Sequence, residues 1–278
     1  MSPRRRPLVG RALAQRLLVK PATNLDLESI DSADTLGHDK QAGAVTLAAT
    51  TDRLGEAQER LWASKAGAVL IVLQGIDTSG KGGTIRHVMG AFDPQGCRVA
   101  SFGVPSPEEL AHDYLWRIHR HTPARGMIAI FDRSHYEDVL VVRVHGLVPQ
   151  DVWRSRYDQI VAFERHLAEN GTTILKFFLH ISRDEQRKRL QARIDEPDKR
   201  WKFRRGDLDE RRLWDEYRAA FTEALTRCST DFAPWYVIPA DRKWFRDLAV
   251  AEIVAHTFDR MKLEYPQGEA GIESLVVP

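Results

Sequence analysis

The feature that most constrains the fold is an apolar run followed at once by a glycine-rich loop. The run, residues 68–74 (AVLIVLQ), is rich in β-branched residues and predicts a strand buried on both faces. The loop, residues 75–84 (GIDTSGKGGT), contains the spacing G-x-x-x-x-G-K, and a helix is expected directly after it. In that setting backbone N–H groups surround phosphate oxygens, the helix dipole attracts their charge and Lys81 neutralises it. The setting disfavours the alternative, a glycine-rich turn without a ligand.

Apolar runs of the same kind recur along the chain. Strands are predicted at residues 126–132, 172–181 and 235–239, with a weaker candidate at residues 97–102. Helical stretches separate these runs. Strands that alternate with helices imply a parallel sheet covered by helices on both faces. The predicted fold class is therefore α/β, with three layers in the order α/β/α.

Several of the intervening helices carry recognisable signals. The pattern Ser-x-x-Glu, which caps a helix at its N-terminus, occurs at residues 106–109 and 182–185. Two longer helices are predicted, one at about residues 150–170, where Gly171 supplies a left-handed stop, and one at about residues 244–263. Helices of this length suit the connections of a parallel sheet.

The chain length of 278 residues fits one main domain with appendages. Residues 1–60 are polar and weakly periodic, and are interpreted as an N-terminal arm that packs on the core. Residues 61–265 are interpreted as the α/β domain that carries the phosphate loop, and residues 266–278 as a C-terminal tail.

Composition excludes several classes of protein. With 43% hydrophobic and 29% charged residues, the chain is not a disordered, collagen-like or disulfide-rich scaffold. Its uncharged stretches are too short to cross a membrane, and its basic start lacks the apolar core of a secretory signal. Cys97 and Cys228 are interpreted as reduced packing residues. We expect a cytoplasmic protein that does not enter membranes; a mitochondrial presequence is the alternative for the basic start.

Two loop positions bear on metal binding. The Ser or Thr that normally follows the loop lysine and holds Mg²⁺ is replaced by Gly82, so metal ligands must come from elsewhere. Asp77 lies inside the loop, where a bare carboxylate repels phosphate. It therefore indicates either a cation between itself and the phosphate or a role in orienting a phosphate acceptor. The alternative is an Asx-turn that shapes the loop.

A second acid lies at the carboxyl end of a predicted strand, where parallel sheets bind their ligands. This is Asp132, interpreted as the Walker-B aspartate that holds Mg²⁺ directly or through water. Arg133 follows and is placed to reach a transferring phosphoryl group. The alternatives are a helix N-cap ahead of Ser134 for Asp132, and a surface ion pair for Arg133.

A basic segment follows the strand predicted at residues 172–181. Twelve of the 41 lysines and arginines lie between Arg183 and Arg212, together with eight acids. Pro197 and Gly206 interrupt the helical periodicity, as in a mobile lid over a phosphoryl-transfer site. The alternative is a solvated helix face. We expect the lid at about residues 193–210.

The remaining histidines and tryptophans are assigned no chemistry. His119 and His121 are expected on the surface or in packing, because residues two apart on a helix do not share a face. Four tryptophans are expected in the core or in interfaces rather than as platforms for stacked bases: Trp201, Trp214, Trp235 and Trp244.

Together these motifs resemble those of the type-2 polyphosphate kinases. The match runs from about Lys20 to Tyr265, with several motifs in the same order. They are residues 72–77 (VLQGID) with Gly80 and Lys81, 84–89 (TIRHVM), 93–96 (DPQG), 131–138 (FDRSHYED), 200–202 (RWK) and 233–241 (APWYVIPAD). So many long, separated motifs make the resemblance highly specific.

The resemblance implies a P-loop kinase-like fold with a helical lid. The implied enzyme transfers the terminal phosphate of inorganic polyphosphate directly and reversibly to a nucleotide, with Mg²⁺ or Mn²⁺. The implied transfer centre is Asp77, Lys81, Asp132 and Arg133, with the two aspartates also as metal ligands. The implied phosphate- and nucleotide-binding residues are Gly75, Thr78, Ser79, Gly80, Gly82, Gly83, Thr84 and Glu137, with Arg193, Lys199 and Lys202 from the lid.

Residues 135–138 (HYED) resemble the subgroup that phosphorylates both nucleoside mono- and diphosphates, either AMP and ADP or GMP and GDP. In that subgroup Glu137 is implied to lie near the acceptor phosphate. Relatives form dimers or tetramers, so a homodimer or homotetramer is expected. The loop sequence DTSGKGG, residues 77–83, differs from the form DAAGKDG associated with the subgroup, which leaves the metal geometry beside Gly82 open.

Two other functions are compatible with parts of the sequence. An ATP-dependent P-loop kinase of nucleoside monophosphates or a small metabolite would share the loop, the aspartate and the lid. Gly82 and Asp77 favour polyphosphate as the donor over ATP. A protein that binds nucleic acid through residues 4–6 and the lid is disfavoured, because the net charge is only +2. We therefore expect no specific nucleic-acid partner.

Overall fold

A five-stranded parallel sheet forms the centre of the computed structural model, which describes residues 9–277. Its strands are β1 Ala68–Gln74, β2 Cys97–Ser101, β3 Ile128–Asp132, β4 Thr172–His180 and β5 Trp235–Pro239. Their spatial order is β2-β3-β1-β4-β5, and every pair is parallel. All five predicted strands are confirmed, although β3 begins two residues later than predicted. Every residue of β1 is buried, as its continuous apolar sequence requires.

Eleven α-helices and four short 3-10 helices occur in the described residues. The α-helices are α1 Gly10–Leu17, α2 Lys40–Ser64, α3 Lys81–His87, α4 Pro107–Leu110, α5 Trp116–His119, α6 Val141–Val144, α7 Gln150–Glu169, α8 Arg183–Asp195, α9 Gly206–Arg212, α10 Trp214–Cys228 and α11 Lys243–Met261. The 3-10 helices are Met89–Ala91, His135–Asp138, Pro197–Lys202 and Ile272–Ser274.

The predicted helix signals are confirmed. Ser106 forms a complete capping box with Glu109 at the start of α4, and the Ser182 hydroxyl accepts the Glu185 N–H at the start of α8. Helix α7 ends beside Gly171, whose φ of +90° is the left-handed conformation expected at that stop.

Two apolar clusters lie on opposite faces of the sheet. Helices α1, α2 and α11 cover one face, where Leu54 and Ile253 pack with Ile71 of β1. Helices α7 and α10 cover the other face, where Tyr157 and Phe221 belong to the cluster. The predicted three-layer α/β/α arrangement is therefore confirmed.

Helix α2 joins the predicted arm to the core. It continues through residue 60, buries Leu54 and Leu61, and lies so close to α11 that a Cβ on Gly43 would come within 2.8 Å of the Trp244 ring. Its helical periodicity is weak because its buried stripe also contains Thr50 and other non-apolar residues. The division of the chain at residues 60 and 265 remains a prediction.

Two other expectations concern exposed parts of the chain. Trp214 and Trp235 are buried in the core as expected, whereas Trp201 is 77% exposed and therefore not a core residue, and an interface role for it stays a prediction. The basic triplet at residues 4–6 lies outside the described part of the chain. Within residues 9–277, none of the helices combines the length and apolarity that a membrane span requires.

Candidate active site

The phosphate loop occupies the carboxyl end of β1 and leads directly into α3. The register of β1 with β3 places Leu73 opposite Asp132, so Asp132 ends its strand beside the loop. Loop and aspartate line one cleft of about 580 Å³. Its other lining residues are Asp77, Thr78, Gly80, Lys81, Gly82, Gly83, Arg86, Ser101, Phe102, Gly103, Arg133, Arg193, Trp201 and Lys202.

Two loop glycines are required by their surroundings. Gly75 has φ +154°, and a Cβ there would lie 2.5 Å from Ser79 Oγ. Gly80 has φ +111°, and a Cβ there would overlap Arg246 Nη1. Gly82 differs, because a Cβ at that position would meet no atom within 4 Å. The position where other phosphate loops carry Ser or Thr is therefore open to the cleft.

Two arginines support the loop from behind. Arg189 of α8 donates to the carbonyl oxygens of Thr78 at 2.9 Å and Ser79 at 3.0 Å. Arg246 of α11 is 2% exposed, packs against Gly80, and donates twice to Asp247 Oδ1, at 2.8 and 2.7 Å. Two hydrogen-bonded cations with largely buried side chains thus fix the conformation of the loop.

Lys81 lies deep in the loop. Its Nζ donates to the Gly75 carbonyl at 2.8 Å, and the residue is only 9% exposed. Burial lowers the pKa of Lys81, and the attraction of Asp77 opposes that shift. The ammonium group is positioned at the centre of the loop, where a bound phosphate would offer it a charged partner.

The side chain of Asp77 faces Arg133. Arg133 Nη2 donates to Asp77 Oδ1 at 3.1 Å. Burial alone would raise the pKa of Asp77, but Lys81 and Arg133 outweigh it and hold the pKa below its ordinary value. Asp77 is therefore ionised near neutral pH and faces cations across the cleft rather than serving only to shape the loop.

Arg133 and Asp132 are held by the turn that follows β3. Arg133 has φ +64°, which is a strained conformation for a residue with a side chain, and its N–H donates to the Leu73 carbonyl. Ser134 caps the following 3-10 helix by accepting the Tyr136 N–H. The alternative role of Asp132 as that N-cap is therefore unsupported, and Asp132 lines the cleft.

A second cavity, of about 320 Å³, adjoins the cleft and contains Glu137. Asp77 and Arg133 line both spaces. Glu137 Oε1 accepts a hydrogen bond from Gln74 Nε2 at 3.1 Å. Burial raises the pKa of Glu137, although Arg133 and Lys81 oppose the shift. The rest of the wall is mainly apolar, with Phe102, Val104, Pro105, Leu140, Val141, Val142, Leu147 and Phe221.

The predicted lid residues divide into two groups. Arg193 and Lys202 line the loop cleft. Lys199 is instead paired with Glu196 and is not part of the cleft wall. Trp201 reaches the cleft from the same segment, and Lys202 Nζ lies 5.0 Å from the centre of its ring.

Other predicted binding residues have mixed placements. Thr78 and Gly83 line the cleft, whereas Gly75 lines the second cavity. Ser79 is a fully buried residue of the loop, and its Oγ has no hydrogen-bond partner in the described part of the chain. Thr84 is also fully buried and faces away from the cleft, with its Oγ1 3.4 Å from Asp247. The structure therefore does not bring Thr84 to the phosphate space.

Several site residues are not predicted from the sequence. Arg86 of α3 lines the cleft, five residues after Lys81. Its positive charge in the helix predicted after the loop is a signal that could have identified it. Arg189 belongs to the basic segment, but its direction depends on which face of α8 it occupies. Arg246 has no local signal, because it reaches the loop from a helix distant in the sequence.

Two carboxylates are available for a divalent cation at the cleft. Asp77 and Asp132 supply the hard oxygen ligands that Mg²⁺ prefers, and the lowered pKa of Asp77 keeps it deprotonated. Among residues 9–277, no group of three or more acidic, histidine or cysteine side chains is assembled as a metal cage. A site of two carboxylates fits Mg²⁺, which usually retains waters and binds substrate phosphates.

Comparison with known proteins identifies close relatives. Residues 37–266 match the family model described as Polyphosphate kinase 2 (PPK2). The chain is 53% identical over 261 residues to the AMP/ADP-polyphosphate phosphotransferase of Meiothermus ruber, covering 93% of this chain and 98% of the relative. It is 47% identical to the ADP-polyphosphate phosphotransferase of Rhodopseudomonas palustris, covering 78% of this chain and 79% of that protein.

A solved structure shares the whole architecture. The crystal structure of Polyphosphate Kinase 2 from Arthrobacter aurescens TC1 superposes with a TM-score of 0.92 at 42% sequence identity. The superposition covers 96% of each chain.

Proposed function

Because the chain belongs to the polyphosphate kinase 2 family and is a phosphotransferase, we propose that it transfers the terminal phosphate of inorganic polyphosphate to AMP and ADP. The guanine nucleotides GMP and GDP are proposed as further acceptors. The observation that carries the proposal is the meeting of two spaces at Asp77 and Arg133. One space contains the phosphate loop and basic lid residues, and the other contains Glu137.

The loop cleft suits a linear polyanion as donor. Lys81, Arg86, Arg193 and Lys202 line it and form a basic path to the loop. Backbone N–H groups of the loop and the start of α3 bind phosphate oxygens, whether the phosphate belongs to a nucleotide or to a chain of phosphates. A donor that consists only of phosphates needs no base or ribose pocket on this side.

The second cavity suits the nucleotide acceptor. Its apolar wall can hold a base, while Arg133 and Asp77 lie at the end that faces the loop. Glu137 is proposed to orient the acceptor phosphate at the boundary. An acceptor phosphate oxygen is already ionised near neutral pH, so the protein does not have to supply a general base for it.

The transfer is proposed to be direct and in line. The acceptor phosphate oxygen forms a bond to the terminal phosphorus of polyphosphate, and the bridging P–O bond breaks to leave a chain shorter by one phosphate. Lys81 and Arg133 stabilise the charge that spreads over the transferred group. The residues position two substrates and neutralise charge, and no phosphoenzyme is required. The same geometry serves the reverse reaction.

Mg²⁺ is proposed as the cofactor, with Mn²⁺ as a substitute, and Asp77 and Asp132 would hold it. When bound, the ion neutralises phosphate charge that the cations of the cleft leave uncompensated. Self-association into a homodimer or homotetramer is also proposed, from the resemblance to the family.

A donor and acceptor assay tests the function. The purified chain is incubated with Mg²⁺, polyphosphate as sole donor and either AMP or ADP, and nucleotides are separated by chromatography. We expect ATP from ADP, and ADP followed by ATP from AMP. If polyphosphate yields no product while ATP is consumed with monophosphates or small metabolites, the chain is an ATP-dependent kinase instead.

A further inference from the structure

A charged network lies behind the acceptor cavity and does not touch it. Glu164 of α7 and Lys176 of β4 form an ion pair with Nζ–Oε2 2.5 Å, and both side chains are completely buried. Burial alone would raise the pKa of Glu164, but Lys176 and His135 outweigh that effect and lower it. Lys176 interrupts an otherwise uncharged run of strand residues, and neither member of the pair belongs to the motifs assigned to phosphate or nucleotide binding.

The network is hydrogen-bonded on every side of the lysine. Lys176 Nζ donates to Glu164, to the Tyr136 hydroxyl at 2.8 Å and to the Cys228 carbonyl at 2.7 Å. These three acceptors account for the three N–H donors of an ammonium group. A lysine in this state holds its neighbours in one geometry rather than adapting to several.

Glu164 binds the two residues that immediately precede Glu137. Its Oε1 accepts the Tyr136 hydroxyl at 2.9 Å and lies 3.1 Å from His135 Nε2. His135 and Tyr136 are both fully buried. The pair therefore holds the 3-10 helix His135–Asp138 on the side that faces the core, while the side chain of Glu137 in the same helix lines the acceptor cavity.

The other side of that helix is attached to β1. Gln74 Nε2 lies 3.2 Å from Ser134 Oγ and 3.1 Å from Glu137 Oε1. A single amide cannot by itself fix a segment that contains a buried carboxylate, because one hydrogen bond contributes about 1 kcal/mol net. Arg156 donates to the carbonyl oxygen and to Oδ1 of Asp138 at the far end of the helix, and the network behind the helix constrains the two residues next to Glu137.

We propose that the Glu164–Lys176 ion pair is a positioning device for Glu137, and so sets how well the acceptor phosphate is held without contacting it. This inference rests on the proposed function, because it takes Glu137 to face the acceptor. Loss of the pair should let the 3-10 helix adopt other arrangements and move the carboxylate of Glu137 away from its place. The donor cleft, whose loop is held by Arg189 and Arg246, should be unaffected.

Positioning and stability are separable at this pair. Removing one partner leaves an uncompensated buried charge and destabilises a protein strongly, whereas replacing both by apolar residues of similar volume is often neutral or stabilising. The variants are therefore Glu164→Gln, Lys176→Met and the double variant Glu164→Met with Lys176→Met. Glu252→Gln is the matched control, since Glu252 is a buried carboxylate that accepts from Thr50 and Gly10 on the other side of the sheet.

The experiment measures the thermal midpoint and the KM values of acceptor and donor for each variant. We expect the KM for AMP and ADP to rise about tenfold in all three pair variants, while the KM for polyphosphate changes less than about twofold. The double variant should regain the thermal midpoint of the wild type without regaining the acceptor KM. Glu252→Gln should leave both KM values unchanged.

Two results would overturn the inference. One is a double variant that recovers both stability and acceptor KM; the other is a parallel rise of donor and acceptor KM, since either indicates a purely structural role. Calorimetric titration with ADP in the absence of polyphosphate separates failure of the positioning inference from failure of the proposed function. If the wild type binds ADP but does not use polyphosphate, only the proposed donor is wrong. If wild type and pair variants bind ADP equally, or none binds it, the positioning inference is wrong.

Discussion

The phosphate loop and the lid are both basic, yet the protein holds them in opposite ways. The loop is held from behind by Arg189 and Arg246, which are hydrogen-bonded and have largely buried side chains. In the predicted lid the ion pairs are local, Lys199 with Glu196 and Arg193 with Asp207, and most of the cations are exposed. The loop is therefore organised before any ligand binds, whereas we expect the predicted lid to lose conformational entropy on closing over the proposed polyanion.

This difference predicts where substitutions will have the largest effects. A charged group that is already held in position stabilises the transition state without a further cost of ordering. An exposed cation attracts phosphate more weakly, because solvent ions screen its charge and its side chain loses entropy on binding. Changes in the loop should therefore lower turnover, and changes in the lid should mainly weaken donor binding.

The largest effect is expected from Lys81→Ala. The ammonium group lies inside the loop, so its removal should lower kcat by about three orders of magnitude or more while the fold stays intact. Steady-state rates with polyphosphate and ADP, together with circular dichroism, measure both. Lys188→Ala on the exposed side of α8 is the matched control and should retain normal rates. Near-normal activity of Lys81→Ala would show that the loop is not the transfer site.

Nearly as large an effect is expected at the two carboxylates. Asp77→Asn and Asp132→Asn should each abolish Mg²⁺-dependent transfer, because an amide is a neutral and weaker ligand for a hard cation. Rates measured across a Mg²⁺ titration test this, with Asp184→Asn at an exposed position of α8 as control. Undiminished rates in both variants would remove these residues from metal binding.

An intermediate effect should separate two glycines of the same loop. Gly80→Ala places a methyl group against Arg246 in a left-handed conformation, and should cost about 1–3 kcal/mol of stability together with most of the activity. Gly82→Ala meets open space and should leave the thermal midpoint nearly unchanged. Thermal unfolding and kcat of the two variants provide the comparison. Equal behaviour would mean that Arg246 does not constrain the loop.

The smallest effects are expected in the lid. Arg193→Ala and Lys202→Ala should raise the KM for polyphosphate about three- to tenfold with little change in kcat, and the effect should diminish as salt is added. Lys199→Ala should change the KM less than about twofold, because its side chain faces Glu196 rather than the cleft. Donor titrations at two salt concentrations test this order. A larger loss at Lys199 than at Lys202 would reverse the assignment of the lid face.

The phosphate loop can be predicted from its local sequence, whereas the arginines that support it cannot, because their positions depend on tertiary packing. The strand β1, the loop and Asp132 are each marked by a short pattern of residues, and parallel pairing then brings them together. Arg246 shows no such pattern, because its role depends on where α11 lies against the loop. Likewise the sequence does not distinguish the role of Arg189 from that of the basic residues of the predicted lid, because tertiary packing determines which way a side chain of α8 points.

Helix α2 and Trp201 are harder to predict because burial there does not follow side-chain polarity. The periodicity of α2 is weak because Thr50 and Gln58 are part of its buried stripe. Trp201 is expected in the core or in an interface because large aromatic residues are usually buried. Its exposure beside the loop cleft depends on the position of the predicted lid segment, which no local pattern reveals.

The strand order has a consequence for how the protein is made. Strand β1 lies in the middle of the sheet, but its neighbours β3 and β4 are synthesised after it, and Arg246 follows roughly 170 residues later. At about 5–20 residues per second, a ribosome needs about 10 to 30 s to deliver that arginine after β1 has left the peptidyl-transferase centre. Both strands that pair with β1 are complete once β4 ends at His180, but Arg246 follows about 66 residues later, so the glycine-rich loop lacks this support for the whole interval. The phosphate loop is thus encoded early in the chain and gains its last support late.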